Sequence, residues 1–177
     1  EITMKRWTLH RIAVVALIGT CLFAGNVARA QTPEEIQKMR EAMPKTARAE
    51  PARPRKLLVC GVAKGFPHSA IPYAARAFEI MGEVTGAFEV VVSNDIAMFE
   101  PDNLKHFDAV LMNNTTGDQF LPHPKKLKKL SEEEKLKAKQ YDSLLKDSFA
   151  DFVKNGGGLI GVHAATDCNY AWPEYGE

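Results

Sequence analysis

Among the five histidines of this chain, two sit where an imidazole could do chemistry. His163 lies in Gly161-Val162-His163-Ala164-Ala165-Thr166-Asp167, a polar side chain among small ones. Small neighbours permit a sharp strand-to-helix turn that projects the central side chain at the edge of a sheet, the geometry that G-x-S-x-G gives a nucleophilic serine. Here the projected group is an imidazole, which titrates near neutral pH and can act as acid, base or neutral metal ligand. His68, in Gly65-Phe66-Pro67-His68, could meet it from an earlier loop. With a carboxylate from Asp118 or Asp167, the pair would make a candidate divalent-metal site, although no H-E-x-x-H or cysteine spacing supports one. Two other readings stay open: Asp167 orients His163 or caps the next segment, and His163 merely shapes the turn. His10, His106 and His123 have no comparable setting.

Other residues could hold a ligand. In Asn113-Asn114-Thr115-Thr116-Gly117-Asp118, the side chains of Asn114, Thr115, Thr116 and Asp118 offer the amide, hydroxyls and carboxylate that a polyhydroxylated molecule requires. The run is too polar to be core. Tyr170, Trp172 and Tyr175 add aromatic faces suited to sugar rings, or to packing around a loop. Three cysteines, Cys21, Cys60 and Cys168, are too few for a disulfide framework. Cys60 sits in an apolar run as a small core residue, and no base beside Cys168 would activate it as a nucleophile.

The elements that must position these residues begin at Lys56, where short apolar runs alternate with amphipathic stretches, the pattern of an α/β protein with a parallel sheet flanked by helices. Residues 57–62, 88–93, 108–112 and 159–162 read as four strands, the first free of charge as expected of a strand buried on both faces. Ile71, Ala74, Ala75, Phe78 and Met81 recur at helical spacing after the first. Ser131 with Glu134 predicts a capping box. The helix it opens carries Tyr141, Leu144, Leu145, Phe149, Phe152 and Val153 on one face, and Gly156-Gly157-Gly158 end it.

Ahead of this domain, Lys5, Arg6 and Arg11, an apolar run from Ile12 to Ala24 and Ala28-Arg29-Ala30 lay out a secretory signal over residues 1–30, cut before Gln31. The run is shorter than the roughly 20 residues that span a bilayer, so no stable membrane span is expected after cleavage, and the mature chain would be secreted or periplasmic. Residues 31–55, with a short helical stretch and Pro44, Pro51 and Pro54, read as a linker. With 23 basic and 22 acidic residues the net charge is +1, so no global field attracts nucleic acid. The lysines at 125–129 are offset by Glu132, Glu133 and Glu134.

Residues 156–167, followed by Tyr170, Trp172-Pro173 and Tyr175-Gly176, resemble the trehalose-utilisation ThuA-like family. Gly65-Phe66-Pro67-His68-Ser69-Ala70-Ile71-Pro72 and the 113–118 run resemble that family's first-strand and third-strand loops. The resemblance covers residues 56–177. It implies a flavodoxin-like open, mostly parallel sheet with helices on both faces, of the class I glutamine amidotransferase-like kind, truncated at the C-terminus because the family domain continues with further strands. It places a site where the three loops meet and implies a small-molecule carbohydrate as partner. With His163 at the elbow, no thiolate forms there, and Cys-dependent glutamine hydrolysis is not expected. The expected function is action on a disaccharide or keto-sugar derivative by His-assisted acid/base chemistry, with His163 and Asp167 catalytic, His68, Asn114, Thr115, Thr116, Asp118, Trp172 and Tyr175 binding ligand, and a divalent metal as a candidate cofactor. The alternative is a non-catalytic sugar-binding or interaction domain of a larger exported protein.

Overall fold

In the computed structural model, residues 31–176 are described. Helix α1 (Pro33–Ala42) leads into strand β1 (Lys56–Cys60), α2 (Ile71–Thr85) and β2 (Glu89–Val92). A 3-10 turn (Ile96–Phe99) and the short α3 (Pro101–Leu104) precede β3 (Ala109–Asn113). Short α4 (Pro124–Leu127) and long α5 (Glu132–Lys154) then lead to β4 (Gly158–Val162), a second 3-10 turn (His163–Thr166) and α6 (Pro173–Gly176). All four strands lie within two residues of their predicted positions.

The strands form one parallel sheet in the order β2-β1-β3-β4. Successive side chains of a strand point to opposite faces, and in the two central strands both faces are apolar. Leu58, Cys60, Val110 and Met112 face one core with Phe99, Leu104, Leu145 and Phe149. Leu57, Val59 and Leu111 face the other with Ala75 of α2. Hence the uninterrupted apolar run at β1. The outer positions of β4 are open among the described residues, with Leu159 and Ile160 44% and 41% exposed.

This is the flavodoxin-like α/β fold expected from the sequence. Its strand order matters for function, because the chain leaves β1 toward β2 on one side while β3 lies on the other. The loops after β1 and β3 therefore part at a switch point, where open α/β sheets hold ligands. Gly61 closes β1 there; a Cβ on it would stand 2.6 Å from Ile71 Cγ2, so only glycine lets α2 start this close to the strand.

The predicted capping box opens α5: Glu134 N–H donates to Ser131 Oγ at 3.2 Å, and Ser131 N–H to Glu134 Oε2 at 2.8 Å. Gly156, at φ 96°, turns the chain out of it. The buried stripe is narrower than predicted. Leu145 and Phe149 are buried with Tyr141 and Phe152 packed beside them, whereas Leu144 is 47% and Val153 37% exposed.

The segment read as a linker lies instead against the domain. In α1, Glu35 accepts a hydrogen bond from the Tyr73 hydroxyl at 3.2 Å, and Arg40 pairs with Glu83 at 2.6 Å. Further on, Arg53 and Arg55 both reach Asp108 Oδ1, and Lys56 N–H donates to its Oδ2 at 2.8 Å. Composition suggested a solvated tether because charge and proline dominate it, and specific long-range partners leave no trace in composition. The expected signal peptide lies outside the described residues. Among those described, no helix is long and apolar enough to cross a membrane.

Burial alone would raise the Asp108 carboxyl, but the Lys56 N–H and the guanidinium groups of Arg55 and Arg53 override it and hold the group below the ordinary range. A depressed carboxylate stabilises the fold fully above its unfolded value, near about 4, and loses that contribution as pH falls through its folded value. Urea unfolding of wild type and Asp108→Asn is therefore expected to differ at pH 7 and to converge on acidification below pH ~4. A gap that persisted at low pH would show that the carboxylate's charge is not what matters.

Candidate functional site

At the carboxyl edge of the sheet the backbone turns through sparsely populated conformations. His163 directly follows β4 at φ 52°, Asn114 directly follows β3 at φ 52°, and Asn169 has φ 55°. Left-handed φ is uncommon outside glycine, and strain of this kind collects at functional sites. The His163 turn is the sharp strand-to-helix elbow that its small neighbours predicted. Asn114 N–H donates to Val162 O at 3.1 Å, which continues the β3–β4 pairing to the residue before the elbow.

The elbow leaves His163 exposed. His68, half-buried, reaches it from the β1 loop, with ring centroids 4.6 Å apart and planes at 86°. Phe66 closes edge-on against His68, at 5.0 Å between centroids. The two histidines singled out in the sequence, 95 positions apart in the chain, thus form one edge-to-face pair at the sheet edge.

The polar 113–118 run contributes differently from the expectation. Asn113 is 0%, Asn114 3%, Thr115 0% and Thr116 8% exposed, so a stretch judged too polar for the core is buried. Buried polar groups are tolerated when they bond one another, as these do. Asn113 Nδ2 donates to Ile71 O and Asn114 Nδ2 to Asn113 Oδ1, each at 2.8 Å. Thr116 ties the β1 loop to the β3 loop: Gly65 N–H donates to its Oγ1 at 3.1 Å, and that hydroxyl donates to Phe66 O at 3.3 Å. Thr115 Oγ1 lies 3.6 Å from Cys168 Sγ. These side chains hold the histidine-bearing loops in register.

Three residues missed in the sequence complete the scaffold. Gln119 Nε2 donates to Cys168 Sγ at 3.3 Å, and Gln119 N–H to Asn169 Oδ1 at 3.2 Å. Lys64 Nζ donates to the carbonyls of Gln119 and Leu121, clamping the loop that carries half-buried Asp118. Burial holds the Lys64 ammonium below its usual range, and Asp142, Cys60 and Asp118 oppose that shift. No periodicity marks such residues; the only hint was polar character directly after a strand.

The carboxylate of exposed Asp167 takes a hydrogen bond from the Tyr170 hydroxyl. Trp172 is 7% exposed and packs on Phe120 and Phe149, each at 6.1 Å, and on Tyr175 at 5.4 Å. The Tyr175 hydroxyl donates to Ala165 O at 2.8 Å, and burial together with Cys168 raises its phenol. Both rings still line a cavity of about 500 Å³ beside the elbow, with Ala165, Thr166, Asn169 and Tyr170; neither imidazole lines it. Cys168 is buried, five positions past His163, and its thiol donates to Ala165 O at 3.2 Å, which ties it to the inner side of the turn. Burial pushes the Cys60 thiol up to about 11, so it is a core group.

Among the described residues no group of three or more His, Cys, Asp or Glu stands close enough to hold a metal ion. His68 and His163 would supply two ligands, so the arrangement is better matched to proton transfer by an exposed imidazole than to a protein-only metal cage.

Searches of curated proteins and of solved structures returned no match. One family model, ThuA, described as trehalose utilisation, matches residues 56–177, which include all four strands and each loop of the site. The chain therefore belongs to the ThuA family, and with it to the proteins of carbohydrate metabolism.

Proposed function

We propose that the protein is exported and acts on a disaccharide or a keto-form sugar derivative, with His163 transferring a proton at a sugar carbon or hydroxyl and His68 seated against it as its partner. The observation that carries this reading is the left-handed elbow at φ 52°, which presents the His163 imidazole to solvent 4.6 Å from His68. A strained turn that projects an imidazole resembles the hydrolase arrangement, with a base in place of the nucleophile. The neighbouring cavity of about 500 Å³, walled by Tyr170, Trp172 and Tyr175, has the size and aromatic lining suited to a small sugar. Sugar bound there would have the elbow at its rim.

The test is mass-spectrometric product analysis of the full protein incubated with disaccharides and their keto derivatives, beside His163→Ala. Removing a general acid or base is expected to lower turnover by about 10²–10⁴-fold. Turnover that His163→Ala retains would move the chemistry elsewhere.

One observation favours a second reading, a sugar-binding domain without catalysis. The carboxylate of Asp167, one candidate for orienting His163, is engaged by Tyr170 instead. That reading expects sugar affinity in both wild type and His163→Ala, with no product from either.

A further inference from the structure

A cavity lies at the opposite, amino-terminal edge of the sheet, built by segments that play no part at the elbow. Just ahead of β1, Arg53 and Arg55 converge on Asp108, the residue before β3. Both guanidinium groups reach the same oxygen, Oδ1, Arg55 at 2.9 Å, while Oδ2 is taken by the Lys56 N–H at 2.8 Å. The carboxylate is thereby fixed by the backbone, and it fixes the two arginines in turn. Two cations on one anion leave a full positive charge over, and an arginine uses only part of its five-donor fork on one oxygen.

These three residues form part of the wall of a cavity of about 450 Å³. Leu104, Phe107 and Phe152 make its apolar side. Of the other charged lining groups, Lys105 is paired with Asp102 at 2.6 Å, and exposed Asp151 is the carboxylate that opposes an anion. With the Lys105–Asp102 pair neutral, the positive charge left over by Arg53, Arg55 and Asp108 is opposed only by Asp151, which is exposed to solvent. The volume falls within the range of small-molecule sites, and a held guanidinium pair is the group best matched to planar carboxylates and to phosphates.

We propose that this cavity binds a small anion with an apolar body, its carboxylate or phosphate on Arg53 and Arg55 and its body against Phe107 and Phe152. Asp108 is a positioning residue: it holds both guanidinium groups at one place. The assignment is independent of the chemistry at His163, which stands at the other edge of the sheet.

Titration of the full chain with benzoate, with phenyl phosphate and with neutral benzamide, followed through backbone amide NMR shifts, tests it. Saturable shifts are expected at Phe107, Gly156 and Gly157 with at least one anion, weakening with added salt, and none with benzamide. A response to benzoate alone identifies a carboxylate site, and to phenyl phosphate alone a phosphate site. Arg53→Gln, at a side chain 62% exposed, is expected to lower the affinity tenfold or more without unfolding the chain. Ser148→Phe, which fills the cavity while leaving both arginines, is expected to abolish binding, with a thermal melt confirming that each variant is folded. No saturable shift with either anion, equal affinity in folded Arg53→Gln, or benzamide binding as well as the anions would overturn the proposal.

Discussion

Replacing His163 by glycine is expected to make the protein more stable by about 1 kcal/mol and to lower the proposed turnover by about 10²–10⁴-fold. A residue held in left-handed backbone costs of order 1–3 kcal/mol, less for histidine than for branched residues, and glycine adopts that backbone freely. Against this stands the extra freedom that glycine gives the unfolded chain, about 0.4–1 kcal/mol. His163 is exposed, so little packing is lost beyond its contact with His68. His163→Ala keeps the unfavourable φ of 52° and should show no such gain. Urea unfolding of the three proteins, beside product analysis, reads both quantities. If glycine stabilises and alanine does not, the turn stores strain that is relieved only with the loss of the imidazole. Equal stability in all three would mean that the elbow is relaxed and is not built to present His163.

Trp172→Ala is expected to carry the largest stability cost, about 3–5 kcal/mol, as for other buried aromatic truncations. That is a large share of the 5–15 kcal/mol typical of a folded domain. The ring, 7% exposed, joins Phe120 and Phe149 of the core to Tyr175, and Lys146 Nζ lies 5.9 Å over its centroid. Losing it should therefore loosen both α5 and the loop behind the elbow. Because Trp172 also lines the cavity beside His163, a loss of sugar binding in this variant would not separate packing from recognition. Trp172→Phe does. A phenyl ring keeps most of the core contacts, so stability near wild type with sugar affinity reduced tenfold would assign a binding role. Full affinity at wild-type stability would leave Trp172 as a core residue.

The local chemistry of the chain was sufficient for features that act over a few residues. Alternating apolar side chains on β1 and β3 specify two buried faces whatever packs on them, Ser131 and Glu134 cap a helix across three positions, and small residues around His163 permit a sharp turn; all are present in the fold. The three-loop resemblance to the ThuA family held for the same reason, since its motifs are contiguous runs.

What the sequence by itself determined, then, was the parallel α/β architecture and the residue at the elbow. The tertiary structure alone decided how polar groups were matched over distance. Asn113 to Thr116 read as too polar for the core because neighbours in the chain meet only part of their bonding, Asn114 on Asn113, yet they are buried because Ile71, Gly65, Phe66 and Cys168 arrive from elsewhere to do the rest. Residues 31–55 read as a tether, yet Tyr73, Glu83 and Asp108 give them partners. His68 meets His163 only because the strand order sets the β1 loop beside β3 and, past it, β4. Hydrophobic periodicity records which face of an element is buried; it carries no record of which donor meets which acceptor across the chain, and at this sheet edge that matching builds the site.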